Sequence, residues 1–567
     1  MKILLLSCFL PFFFLLYLSV RTSTSQVIRS EVIGCSPSPI GTPISPDATG
    51  RYAPVFPGWG HYHYSVSTLV DSAQYYFDQG LSLYYSYHLK ESLASFKEAA
   101  LKDSTCAMIY WGQALAMGPF YNNSYDYKMP SQVLPVLDRM NQLAEKASER
   151  ERDLIAALNK KYSPDTTDSR RSDLNRDYSE NMKNLIAKYP QDLDIKALYI
   201  DGVMVEHAWD MWDPKGQPMP WTPGLVDLCQ TILAVNPEHP GALHYHIHLL
   251  EASGHPEATL SSADKLKDLM PGVAHMVHMA SHSYQRTGLY GKGVMVNDSA
   301  NAAQKNYNLM APQLQLTRLV IHYYAVEAYC ALSGGLYEKA MGPAVQCAKI
   351  AEANPSIRTG LYMQYLYMIP AFVQVRMGKW EALLARPVPD THWVFASLLS
   401  DFARGIAFVR TGKIDSAQLC LDRLKGRMKD PTLEDRRRPF NAPVDVAKVA
   451  EGILEGEVLF ARRGGDVPIA AFERAIAAED GLFYAEPKDW LLPARHFAGV
   501  CLLKQQRAGE AEKLYREDLE HNPGNGWALM GLSQSLELQH KKGAQEYKAR
   551  ARAAFTGAEE LPSGSAY

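Results

Sequence analysis

Apolar residues recur at three- and four-residue spacing along almost the whole chain after residue 66, with turn residues every 12 to 20 positions. This is the pattern of amphipathic helices, and strand-like alternation is nearly absent. It predicts an all-α chain. The helices come in pairs with a period near 34 residues, so repeats have to be considered before any fold. Pro237 and Pro271 lie 34 residues apart and mark the ends of two consecutive pairs. Gly80 takes the small position of an early helix A, and Phe96 and Ala99 lie on its helix B. Near the C-terminus Gly499, Ala511, Tyr515 and Pro523 fall at offsets 8, 20, 24 and 32 of one repeat, and Trp527 and Gly531 open the next. A small residue lets helix A approach helix B, and proline ends the pair. The pattern is tetratricopeptide-like (TPR) and predicts a TPR-type helical-hairpin superhelix, an α-solenoid. Insertions break the period at 122–130, 163–172 and 209–221.

Two stretches near the N-terminus differ. Lys2 precedes an apolar run from Ile3 to Val20, broken by Pro11, and Ser23 and Ser25 then offer a small-residue cleavage site before Gln26. This reads as a signal peptide, so the protein is expected to be exported, periplasmic or extracellular, with no membrane span in the mature chain. Pro37, Pro39, Pro43, Pro46, Pro54 and Pro57 make residues 35–58 an extended linker, expected to be poorly packed. The organisation expected is a signal peptide (1–25), a Pro/Ser-rich linker (26–66), N-terminal repeats (67–210), central repeats (211–311) and C-terminal repeats (312–567).

Composition narrows the class. The 567 residues are 47% hydrophobic and 21% charged, with a net charge of −3. That excludes wholesale disorder, and it argues against a nucleic-acid partner, which calls for a basic surplus. The eight cysteines are scattered without a C-x-x-C pair and read as small buried hydrophobes.

Histidine carries the chemistry. Eight of the 17 histidines lie between His239 and His282. His244 and His248 are four apart, so they share one helix face about 6 Å apart along the axis. His278 and His282 repeat that spacing, and both offsets between the pairs equal the 34-residue period. Equivalent positions on consecutive A helices sit side by side, with axes ~8–10 Å apart. The four imidazoles are therefore expected to meet at one transition-metal ion at ~2 Å, with His275 or Glu251 adjacent. Two histidines recurring for packing alone, or a pocket for an organic ligand, are the competing readings. An all-imidazole set suits copper or zinc, with iron or nickel behind them, and excludes calcium and magnesium. No H-E-x-x-H glutamate is present, which argues against a zincin protease. His322 matches His275 when the turns Gly288-Leu-Tyr290 and Gly335-Leu-Tyr337 are superposed, and would line the same channel. His61 and His63 read as surface residues, and His207 with Trp209 and Trp212 as packing of an inserted loop. Glu486 and Arg495 read as a solvated pair at a helix start, or else as a buried ion pair.

The chain resembles a family of exported bacterial TPR-repeat proteins. The resemblance rests on Phe77-Asp-Gln-Gly-Leu81, Cys106-Ala-Met-Ile-Tyr-Trp-Gly112, His239-Pro-Gly-Ala-Leu-His-Tyr-His-Ile-His248, His275-Met-Val-His-Met279, Tyr484-Ala-Glu-Pro487 and Asn525-Gly-Trp-Ala528. It departs from the family at Ala280, where the family has Pro. The resemblance implies an all-helical repeat fold and a histidine-lined site, and it brings no established reaction. The function expected is a binding protein that holds a peptide or protein partner in its concave groove, with the metal site on that surface. The alternative is a metal-dependent oxidoreductase or hydrolase acting on a small molecule through the same histidines.

Overall fold

The computed structural model describes residues 43–317, 320–436, 441–462 and 465–567. The proposed leader, Cys8 and Cys35 lie outside the described residues. Within them the chain forms twenty-four α-helices, numbered in order from α1 (Asp71–Tyr85) to α24 (Ala544–Ala554). No strand occurs among the described residues beyond one isolated bridge between Trp212 and Pro218. The fold is an all-α stack of TPR-type helical hairpins. None of the described helices is long and apolar enough to cross a membrane.

Hairpin packing follows the small-and-aromatic pattern of the sequence. Phe96 on α2 (Leu89–Lys102) fills the space left by Gly80 on α1 and Gly112 on α3 (Ala107–Ala116). Tyr515 on α22 (Ala508–His521) does the same between Gly499 on α21 (Ala494–Lys504) and Gly531 on α23 (Gly526–Leu538). A Cβ at Gly499 or Gly531 would lie 2.3 or 2.2 Å from the Tyr515 ring, inside van der Waals contact. Pro237 and Pro271 stand two residues beyond the ends of α8 (Thr222–Val235) and α10 (Leu260–Leu269). The intervening Asn236 and Met270 have left helical geometry, as residues before proline do. All six described cysteines are buried and unpaired, as hydrophobes of that size would be.

The stack closes on itself. Trp527 Nε1 donates to the Ser333 carbonyl at 3.1 Å, which brings the C-terminal hairpins back to the central ones. Its core is two large hydrophobic clusters, one running from Ile44 to Tyr323 and the other from Val294 to Phe555. The histidine-bearing helices lie where these clusters meet.

The linker is extended, as expected, but from residue 43 onward it is not loose. Ala53, Phe56, Trp59 and Tyr64 are buried, the Phe56 ring lies 4.6 Å from Tyr307, and Gly272 N donates to the Gly58 carbonyl at 3.0 Å. Its aromatic residues outweigh its prolines: each offers enough apolar area to hold the strand against the repeats.

Candidate metal centre

Three A helices build the site. α9 (Pro240–Leu250) starts at a proline in its first turn, and His239 caps it, with its side chain accepting from the Ala242 amide. α11 (Ala274–Arg286) follows one repeat later, and α13 (Ile321–Ser333) one repeat after that. Every residue of α9 is buried, and all but Arg286 of α11. An outer helix covers each of them on one side and the closed stack covers the other. Polar side chains on such helices must find partners inside the protein.

The histidines do so among themselves. His244 and His248 from α9 and His275 from α11 form one group whose ligand nitrogens lie within 4.8 Å of one another. His278 and His282 from α11 and His322 from α13 form a second. A third grouping, His248, Glu251 and His282, joins the two. His244 Nε2 is 3.0 Å from His275 Nε2, and His278 Nε2 is 3.0 Å from His282 Nε2. Two nitrogens bound ~2.0–2.1 Å from one ion stand roughly 3 Å apart when they subtend about a right angle.

The far side of each ring shows which nitrogen is available. His244 Nδ1 donates to the Tyr85 carbonyl at 2.6 Å. His278 Nδ1 donates at 2.6 Å to Asn297 Oδ1, and the Asn297 amide is oriented by its own bond to the Gly293 carbonyl. Glu251 accepts from His248 Nδ1 at 3.0 Å with one oxygen and from His282 Nδ1 at 2.7 Å with the other. Glu486 also meets His282 Nδ1. These are the partners that fix a metal-binding imidazole with its Nε2 lone pair facing the ion. His248 Nε2 is buried and has no hydrogen-bond partner. His278 and His282 then face each other lone pair to lone pair, a contact that only a positive bridge, a proton or a metal ion, makes favourable. The donor set and the orphaned nitrogen both fit a late first-row transition ion.

Electrostatics favour neutral rings. Burial above all, and then the neighbouring imidazoles, hold His244, His248, His275 and His278 well below the usual histidine range. Burial and His282 bring His322 down to about 3. Glu251 is raised to about 8 by burial and by the Glu486 charge. Neutral imidazole is the form that ligates.

On one side His248 and Glu251 border a cavity of about 120 Å³, walled by Tyr121, Trp209, Met211 and Tyr484. The Tyr121 and Trp209 rings stack 5.0 Å apart. At ~10–15 Å³ per water on this measure, the space holds several waters or a small molecule, not a peptide.

All six candidate residues, His244, His248, His275, His278, His282 and Glu251, come together in this interior, but they divide instead of meeting at one point. The reason is lateral offset: the 34-residue period places each pair one helix further along the stack. The expected position on an open concave surface is corrected, since closure buries every ring. Glu251 supports two rings through Nδ1. His322 joins the cluster. Glu486 is not paired with Arg495, which binds Asp480 instead. His207 stacks on Trp221 within the inserted loop, while Trp209 walls the cavity. His63 is held by Asp78 and His61 by Glu238, both at the surface. Asn297, the Tyr85 carbonyl and His88, which accepts from the His275 amide at 3.3 Å, were not legible in the sequence. Spacing within one helix says nothing of what a different helix presents to it.

No protein-family model matches the chain, and no curated protein does. Among solved structures it is similar to the human IFIT1 dimer with m7Gppp-AAAA, at 13% identity over 79% of this chain and 90% of that one, with a TM-score of 0.34. Yeast Tom70 is similar at 12% identity over 85% and 90%, TM-score 0.26. The P58(IPK) TPR domain is similar at 14% identity over 60% and 94%, TM-score 0.16. Nothing about the histidine cluster is carried over from them.

Proposed function

We propose that this is an exported helical-repeat protein whose central repeats bind a transition metal, copper or zinc before iron, in reach of a small molecule. The observation that carries the reading is the set of histidines whose Nδ1 atoms are fixed by acceptors while their Nε2 atoms gather in a buried cluster. In this reading His244, His248, His275, His278, His282 and His322 hold the metal, and Glu251 and Asn297 orient the rings. A bound ion would supply Lewis-acid or redox chemistry. A peptide or protein partner along the superhelix rests on the repeat architecture alone, whereas the cavity beside the site fits a small ligand. That cavity is also the one observation favouring a metal-dependent oxidoreductase or hydrolase over a closed structural site, because it lets a ligand approach His248. Export rests on the apolar run after Lys2.

The test is elemental analysis of untagged protein, from its native compartment and after reconstitution with copper(II) or zinc(II). Stoichiometric metal at neutral pH is expected, with release only well below the usual histidine range near ~6, because burial lowers the proton affinity of the rings. Protein that takes up neither ion at neutral pH would overturn the proposal.

A further inference from the structure

We infer that the cluster is a two-metal centre, one ion in each group of three histidines; this rests on the metal-binding reading above and deepens it.

The two groups are built by one rule. Each takes the four-apart pair of one A helix and the second residue of the next A helix. In the first group the pair is His244 and His248 on α9, and His275 is the second residue of α11. In the second the pair is His278 and His282 on α11, and His322 is the second residue of α13. The repeat has copied a complete three-nitrogen site and set it beside the original. The series also stops at both ends. The second residue of α9 is Gly241, so no earlier pair can be completed there. On α13 the positions three and seven beyond His322 are Ala325 and Tyr329, so no third pair follows. Two groups are what the repeats can make.

The alternative, one ion held by His248, Glu251 and His282, meets a chemical objection. Both Glu251 oxygens already accept Nδ1 protons, one from a ring of each group. Withdrawing the oxygen that faces His248 would leave that buried N–H without a partner, at a cost of ~1–3 kcal/mol, whereas the His282 N–H would keep Glu486. Left in place, Glu251 is shared second support for both groups and ties them together. Across the boundary, the His248 and His282 rings are 5.8 Å apart and those of His275 and His278 6.1 Å, centre to centre. Ions in paired sites typically stand ~3.5–4 Å apart, which suits rings packed this closely. Three imidazoles per ion leave a coordination position on each, so the pair would share one small bridging ligand. The ions that fit are late first-row transition ions, since each of the two groups offers imidazole nitrogens alone.

The experiment loads untagged full-length protein with copper(II), removes loosely held metal on a chelating resin, and measures copper per chain with the electron paramagnetic resonance intensity. Two ions per chain, with resonance intensity well below the copper content because neighbouring ions couple, are expected. His322→Gln and His275→Gln should each retain one ion, now with full intensity. One ion in the unaltered protein, or two ions with undiminished intensity, overturns the pair and leaves the metal-binding reading intact. No ion overturns both. Two ions surviving in both variants would place copper elsewhere and also overturn the pair. The unaltered protein's own spectrum decides the matter even where a variant loses its helical circular dichroism.

Discussion

Replacing Asn297 by Leu keeps the branched shape of a buried side chain on α12 (Tyr290–Met310) and removes the Oδ1 acceptor together with the Nδ2 donor to the Gly293 carbonyl. The Oδ1 atom receives the His278 Nδ1 proton at 2.6 Å. The other oxygen near Nδ1, Ser281 Oγ, is 3.5 Å away, where it can accept only a long, weak bond while donating its own proton to the His278 carbonyl. The ring is left with two poor choices. It can bury a poorly paired N–H, costing ~1–3 kcal/mol, or move the proton to Nε2 and cease to be a ligand. Loss of such a supporting partner typically weakens metal binding by ~10–100-fold, or about 1.4–2.8 kcal/mol, which agrees with the first choice. Competition against a chelator of known affinity should show that loss for the group containing His278, with the group containing His244 little changed. Asn297→Asp, which restores an acceptor, should recover most of the affinity. A folded Asn297→Leu protein that binds both ions within about threefold of the original would refute the assignment of Nε2 as the ligand atom.

Other expectations test the frame around the site. Gly499→Ala drives a methyl into the Tyr515 ring and should cost ~1–3 kcal/mol in denaturant unfolding; a change near zero would contradict the hairpin packing. Phe56→Ala should cost ~3–5 kcal/mol by the same assay, whereas a loose linker would tolerate it. Lys161 offers a pH test, because burial lowers it to about 8 from its usual 10.5. The folded protein releases this proton near pH 8 while the unfolded chain keeps it to about 10.5, so this group's contribution raises stability as pH climbs through that window. Lys161→Met should therefore be the more stable protein at pH 7, by up to about 3 kcal/mol, with the gap closing towards pH 10.5; a gap independent of pH would count against the buried charge.

The sequence carried the fold because the information is local. A small residue on helix A, an aromatic on helix B and a proline at the end recur at a fixed period, and Gly499, Tyr515 and Pro523 occupy those places in the structure. It carried the histidine pairs for the same reason: four residues make one helical turn, and 34 make one repeat. The offset of one group from the next was also implicit in that period, since a repeat moves each pair sideways by one helix. Closure of the stack was not legible. It depends on Trp527 meeting Ser333 and on the aromatic linker lying against α12, contacts between segments with no common spacing. Closure is what buries the rings and lowers their proton affinity. It also brings Glu486 to His282 across some two hundred residues of chain. The sequence by itself determined which side chains face inward together. Only the tertiary structure decided what stands behind each ring, because hydrogen bonds such as His278 to Asn297 and His244 to Tyr85 run between helices and depend on how those helices pack.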